Sequence, residues 1–221
     1  MRVHKVYNPA IKYNMGINMI DRLDEILFER QKRNEKEIFV ADITKCLRKA
    51  YYSILYPKPQ RPQTVIGKML HFSLEKMLEN HIKALFEVSF VLRLNNGWLL
   101  KGRCDMMQDD EIYEFKFVRN IKRARENISY YLQLQLYLHA FKAKKGYLVF
   151  INRETLDFEA IEVILDACIA EKLIEDAEYL AKCLENKTAP ERQSPRYNKE
   201  CEFCEYCDMC FSDYCDICLY I

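Results

Sequence analysis

Residues 101–116, KGRCDMMQDDEIYEFK, hold side chains that could do chemistry: Asp105 lies upstream of Glu114, Phe115 and Lys116 inside an otherwise apolar strand pattern. Side chains alternate along a strand, so Glu114 and Lys116 share one face while Tyr113, Phe115 and Phe117 share the other. Asp105 falls with Lys101 and Arg103, opposite Leu100, Gly102 and Cys104. If a hairpin registers the two polar faces together, Asp105 and Glu114 converge beside Lys116. Carboxylates that close repel unless a cation separates them, and Mg²⁺ or Mn²⁺ is the hard ion that suits oxygen ligands. Such an ion acidifies a bound water and steadies charge on a phosphate, while a neighbouring ammonium orients the water or neutralises the leaving group. This is the logic of a metal-dependent phosphodiesterase. The plainer alternative is a solvated strand face with an ordinary ion pair, since Glu185-Asn186-Lys187 repeats Glu-x-Lys at a helix end.

Further residues lie where a nuclease would want them. His71, in GKMLHFSLEK, could supply a third ligand, because imidazole suits Mn²⁺ as well as zinc. As a lone helix histidine it would simply be half-buried. Gln133 and Tyr137 are four apart and share one helix face, where the alternative is core packing. Residues 116–125, KFVRNIKRAR, follow with Arg119, Lys122, Arg123 and Arg125 and no acidic residue, a phosphate-binding stripe or else a charged helix start.

Six of the ten cysteines fall between Cys201 and Cys218. Cys201, Cys204, Cys207 and Cys210 run at successive C-x2-C spacing, followed by Cys215 and Cys218. Thiolates so dense, in a chain that starts without a secretory signal, call for zinc or an iron–sulfur cluster rather than disulfides. The gap between pairs is too short for a zinc ribbon. Cys210 follows too soon to be the usual fourth ferredoxin cysteine, so another residue could complete the set, and Cys46 is the candidate. Cys104, Cys168 and Cys183 read as small buried hydrophobes.

The elements that must position these residues follow from periodicity. Half of the 221 residues are apolar, enough for one real core with a small appendage. A net charge of +1 does not advertise a nucleic-acid partner, so any such surface must be local. No run approaches the roughly 20 apolar residues of a membrane span, and the expected location is the cytoplasm. Apolar residues at helical spacing predict a helix over 18–35, a second capped by Asp42 or Thr44 and ending before Pro57, and a third over about 64–84. Strand patterns over 86–94, 98–107 and 111–118, the first two joined through Asn96-Gly97, predict a three-stranded antiparallel meander. Residues 122–145 read as a helix, 147–152 and 155–164 as strands, and 166–186 as a helix. A polar linker, 187–200, leads into the cysteines. The order describes an α/β core with an N-terminal helical region and a C-terminal metal lobe.

Gly102 to Asp105 as GxxD, then Glu114-Phe115-Lys116, then Gln133-x3-Tyr137, with His71 upstream, resemble the motifs of the RecB-like branch of the PD-(D/E)XK nuclease superfamily. Cys46 with Cys201, Cys204 and Cys210 resembles that branch's iron–sulfur clasp. A chain with both sets is similar to the fourth of the numbered CRISPR-associated protein families, exonucleases of spacer acquisition. The resemblance implies a restriction-endonuclease-like core, a mixed sheet flanked by helices, over residues 63–187. Residues 1–62 would be a helical region carrying one cluster cysteine, and 188–221 an iron–sulfur lobe.

The resemblance also implies Mg²⁺ or Mn²⁺ on His71, Asp105, Glu114 and the Phe115 carbonyl. Lys116 would be the catalytic lysine, with Gln133 and Tyr137 positioning it and the DNA. A cluster, 4Fe–4S rather than 2Fe–2S, would be structural, with Cys207 the rival to Cys210. Substrates would be single-stranded DNA and DNA ends with overhangs, and partners the CRISPR integrase subunits. The alternatives are a RecB-type repair exonuclease outside CRISPR, a non-catalytic metal-cluster DNA-binding scaffold, and a zinc protein. The short gap from Asp105 to Glu114 and the surplus of Cys207, Cys215 and Cys218 depart from the family pattern.

Overall fold

The computed structural model describes residues 33–192, 201 and 203–211. The expected helix over 18–35 lies almost wholly outside them, as do Cys215 and Cys218. The chain forms β1 (Glu37–Phe39), α1 (Val40–Ile43), α2 (Leu47–Leu55), α3 (Pro62–Glu79), β2 (Leu85–Arg93), β3 (Leu99–Gln108) and β4 (Glu111–Val118). There follow α4 (Ile121–Ala124), α5 (Ile128–Phe141), β5 (Lys145–Asn152), β6 (Phe158–Ile164), α6 (Ala167–Glu185) and α7 (Cys207–Phe211).

Six strands make one mixed sheet in the order β1-β3-β4-β5-β6, with β2 also on β3. The antiparallel meander β2-β3-β4 is present, and the two added contacts are parallel: β1 on β3 and β5 on β4. Strand β2 runs along β3 from Leu85↔Met107 to Arg93↔Leu99 and occupies one edge of it. Strands β1 and β4 must therefore share the other edge, β1 at Leu99–Lys101 and β4 at Met106–Gln108. Between those two short pairings β3 and β4 fork, and Asp105 stands at the fork.

Both hairpins rest on left-handed turn residues. Gly97 has φ +82, and the Leu94 and Trp98 backbones close around it. Asp109 and Asp110, with φ of +47 and +64, make a two-residue turn whose twist matches the strands it joins. That turn sets the register Met106↔Tyr113, and the same count puts Asp105 opposite Glu114.

Leu134, Leu136 and Leu138 of α5 and Leu173, Ala177 and Leu180 of α6 bury against the sheet with Leu100, Leu148 and Phe150. Ile38, Val40, Ile43 and Leu47 join the same core from the N-terminal side. Strand β1 is too short for its period to show in sequence. The single helix expected after Asp42 is broken at Thr44–Cys46: Asp42 caps α1, accepting from the Phe39 N–H at 2.8 Å, and Cys46 precedes α2. The helix expected over 122–145 is likewise two, because Asn127 caps a new start by accepting from the Ser129 N–H. Helix α3 has no buried residue and reaches the sheet mainly through β4.

Candidate active site

Lys116 points to α5, where its Nζ lies 2.9 Å from Gln133 Oε1 and 4.9 Å from the Tyr130 ring centroid. Phe117, the next residue, points to the opposite face and meets His71 of α3 edge to face at 5.4 Å. Helices α3 and α5 thus flank β4 from its two sides, as strand alternation requires. Asp105 Oδ2 at the fork accepts from the Phe115 N–H at 2.7 Å and lies 3.4 Å from His71 Nδ1. Lys116 Nζ donates to Glu114 Oε1 at 2.6 Å, and Gln133 Nε2 donates to the Tyr137 hydroxyl at 2.7 Å. His71, Asp105, Glu114, Phe115, Lys116, Gln133 and Tyr137 form one connected constellation. The spacing that puts Gln133 and Tyr137 on one helix face also puts Tyr130 there, three residues before Gln133.

The electrostatics are those of carboxylates kept from water. Burial, then the charge of Asp105, pushes the Glu114 carboxyl up to about 7, against the opposing pull of Lys116. Burial pulls His71 down, but the hydrogen bond and charge of Asp105 outweigh it and leave the imidazole raised. Burial acts downward on Lys116 too, and Glu114 with Asp105 reverses it. Glu87, absent from the sequence reading, adjoins the group. It has φ +53, pairs with Arg103 at 2.6 Å, and is raised by burial, with the negative charges of Asp105 and Glu75 adding to the rise. A strained backbone in a strand interior leaves no periodic signal.

Among the described residues no three His, Cys, Asp or Glu side chains are drawn together at metal-ligand spacing. Asp105 Oδ2 is engaged by Phe115 and Glu114 Oε1 by Lys116. Glu114 Oε2, however, is buried with no hydrogen-bond partner. A buried carboxylate oxygen so left costs stability unless a cation or proton meets it. Carboxylates of Asp105 and Glu114 with an imidazole beside them are the donor set for a hard divalent ion, so these residues fit one.

The basic stripe stays at the surface. Arg119, Lys122, Arg123 and Arg125 are exposed; Arg119 lies 3.4 Å from Glu154 and Arg125 3.0 Å from Glu159. Asn120 caps the short α4 that carries Lys122 and Arg123, accepting from the Arg123 N–H.

A second constellation joins distant parts of the chain. Cys46, Cys201, Cys204, Cys207 and Cys210 line one cavity together with Lys49, Tyr52 and Tyr206. The fully buried Tyr206 closes it, stacking on Tyr52 at 6.4 Å and donating to the Tyr56 carbonyl at 2.9 Å. Arg61 binds Glu205 and the Phe203 carbonyl, and Arg192 binds the Cys210 carbonyl. Cys104 and Cys183 are buried, and burial pushes the Cys104 thiol up to about 12. Cys168 corrects the sequence reading: it is exposed, because it falls in the first turn of α6 on the side away from the sheet.

The model of the PD-(D/E)XK nuclease superfamily matches residues 25–211. The chain belongs to that superfamily. A PD-(D/E)XK core is what the forked mixed sheet and its flanking helices build. Among known proteins the chain is similar to CRISPR-associated exonuclease Cas4 of Saccharolobus solfataricus, 29% identical over 191 residues, 80% of this chain and 89% of that protein. It is also similar to the crystal structure of SSO0001, with a TM-score of 0.64 and 30% identity, covering 90% of this chain and 94% of that one. An alkaline exonuclease from Laribacter hongkongensis has the same fold, with a TM-score of 0.51 at 11% identity over 69% of this chain and 89% of that one. Among the described residues no helix is long and apolar enough to cross a membrane.

Proposed function

We propose that the protein is a divalent-metal-dependent DNA exonuclease that trims single-stranded ends and overhangs of prespacer DNA in CRISPR adaptation. The reading rests on Glu114, whose Oε1 receives Lys116 while Oε2 is buried with no hydrogen-bond partner, beside Asp105 and His71. Superfamily membership and the similarity to a CRISPR-associated exonuclease support it. His71, Asp105, Glu114 and the Phe115 carbonyl would hold Mg²⁺ or Mn²⁺. The ion, when bound, lowers the pKa of a water and stabilises negative charge on the phosphate.

The chain's own part is positioning and charge. Lys116, held by Gln133 Oε1, presents an ammonium to the scissile phosphate and steadies its developing charge. Gln133 is held in turn by Tyr137, which is buried and so fixes the amide's orientation. Asp105 tethers the Phe115 backbone and sets how far the fork can open. Exposed Arg119, Lys122, Arg123 and Arg125 offer phosphate contacts along the exit from β4.

Cys46, Cys201, Cys204 and Cys210 would hold a structural 4Fe–4S cluster, which the shared cavity and the density of thiols support. It would pin the C-terminal lobe to α2, and CRISPR integrase subunits would be the partners.

End-labelled single-stranded DNA incubated with the anaerobically purified protein and Mn²⁺ or Mg²⁺, beside EDTA and the Lys116→Ala variant, tests the activity. Degradation is expected only with metal and is expected to fall by about 10²-fold or more in the variant. Binding without cleavage by the unaltered protein would overturn the enzyme reading in favour of a scaffold.

A further inference from the structure

Helix α3 carries His71 on the face that meets the sheet and an unusual flank beside it. Lys68, Phe72 and Lys76 are spaced four apart and form one stripe next to His71. Phe72 is 61% exposed, and Lys76 Nζ lies 5.6 Å from its ring centroid. Lys68 stands one turn before His71, and burial, then the Arg103 guanidinium, holds its ammonium below the ordinary lysine range. His71, next to Phe72 on the same helix, lies 3.4 Å from Asp105, so the stripe borders the fork in which Asp105 stands.

Met69, three residues before Phe72 on the same helix, is also exposed, and a joined apolar surface beside a reactive cleft marks a site of interaction. Of the two flanking ammonium groups, that of Lys76 is held by Glu79 at 2.8 Å, and that of Lys68 favours an anionic partner. A nucleobase on its phosphate backbone combines both properties, and base–aromatic stacking with cationic flanks is how single strands are gripped without sequence preference. A paired base inside a duplex has both faces covered by its neighbours and cannot stack on a side chain.

We infer that Phe72, flanked by Lys68 and Lys76, is a stacking platform for an unpaired base at the mouth of the site, and that it gives the enzyme its preference for single strands. This rests on the nuclease reading for its location beside the reacting phosphate and for the single-strand preference it explains. The stripe is a binding surface whether or not the strand is cut.

The test uses the full chain and a short single-stranded oligonucleotide with one 2-aminopurine, whose fluorescence is quenched when it stacks. Binding is measured in EDTA, where no cleavage intervenes. The unaltered protein and Phe72→Trp should quench the probe. Phe72→Ala should lose the quench and weaken single-strand binding about tenfold, within the range of a lost base stack. In metal-supported cleavage the same change should appear in KM rather than kcat. Met77→Ala, an exposed apolar residue five positions on and so on another side of the helix, serves as control and should change neither. Unchanged quenching in Phe72→Ala, or equal losses in Phe72→Ala and Met77→Ala, would overturn the platform. Quenching that depends on Phe72 in a protein that never cuts DNA would uphold it and overturn the nuclease reading instead.

Discussion

Lys116 Nζ lies 2.6 Å from Glu114 Oε1, two residues back on the same strand and the same face, with both side chains almost sealed from water. The same ammonium donates to Gln133 Oε1 at 2.9 Å. The ammonium is thus shared between a carboxylate and an amide oxygen.

Gln133 should accordingly behave as a positioning residue. Gln133→Ala removes one of the two contacts on Lys116 and leaves Tyr137 unpaired. We expect kcat to fall about tenfold with KM nearly unchanged, because the group lost does not itself touch substrate. Single-turnover cleavage with saturating enzyme checks it; a change confined to KM would contradict the assignment.

The cysteines should divide by location. Cys46→Ser should lower iron content and bleach the visible absorbance of anaerobically purified protein, since Cys46 lines the shared cavity. Cys168→Ser should change neither, being exposed on α6. Iron analysis of the two variants side by side decides between them, and equal iron in both would place the ligands elsewhere.

Acid should loosen the N-terminal strand before the rest. Lys101 first, then Asn34, holds the buried Glu37 carboxyl below its ordinary value of 4.5. A depressed acid stabilises the fold above the unfolded value, and the contribution disappears as pH falls through the lowered one. Glu37→Gln should therefore unfold at lower temperature than the unaltered protein at pH 7, with the gap narrowing on acidification. Thermal unfolding across pH reads this, and a gap constant with pH would refute it.

Gly146 should resist any side chain. A Cβ there would stand 2.6 Å from the Ile112 carbonyl oxygen and 3.2 Å from Leu134 and Leu138. The first neighbour is backbone in a parallel strand pairing and cannot rotate away. Gly146→Ala should cost about 1–3 kcal/mol of stability, visible as a lowered denaturation midpoint.

Strand β4 was legible to the residue, because EIYEFKFV alternates cleanly between a turn and a basic stretch. The three residues of β1 were not, since a period cannot show in so short a run. Breaks at Thr44–Cys46 and at Asn127 do not show in the apolar spacing, which continues across both; at the second the Asn127 side chain caps a new helix start. Glu87 escaped notice for a related reason: its left-handed backbone is imposed by its neighbours.

What the sequence determined by itself is local: the alternation that pairs Glu114 with Lys116, the four-residue spacing of Gln133 and Tyr137, and the cysteine density. Each follows from patterns that operate within one element or one short segment. The tertiary structure decided what those elements face. Strands β1 and β4 share one edge of β3 and open the fork at Asp105; α3 brings His71 to one side of it and α5 brings Gln133 to the other. Burial in that fork then raises Glu114, since only packing from segments far apart in the chain can remove water from a charge.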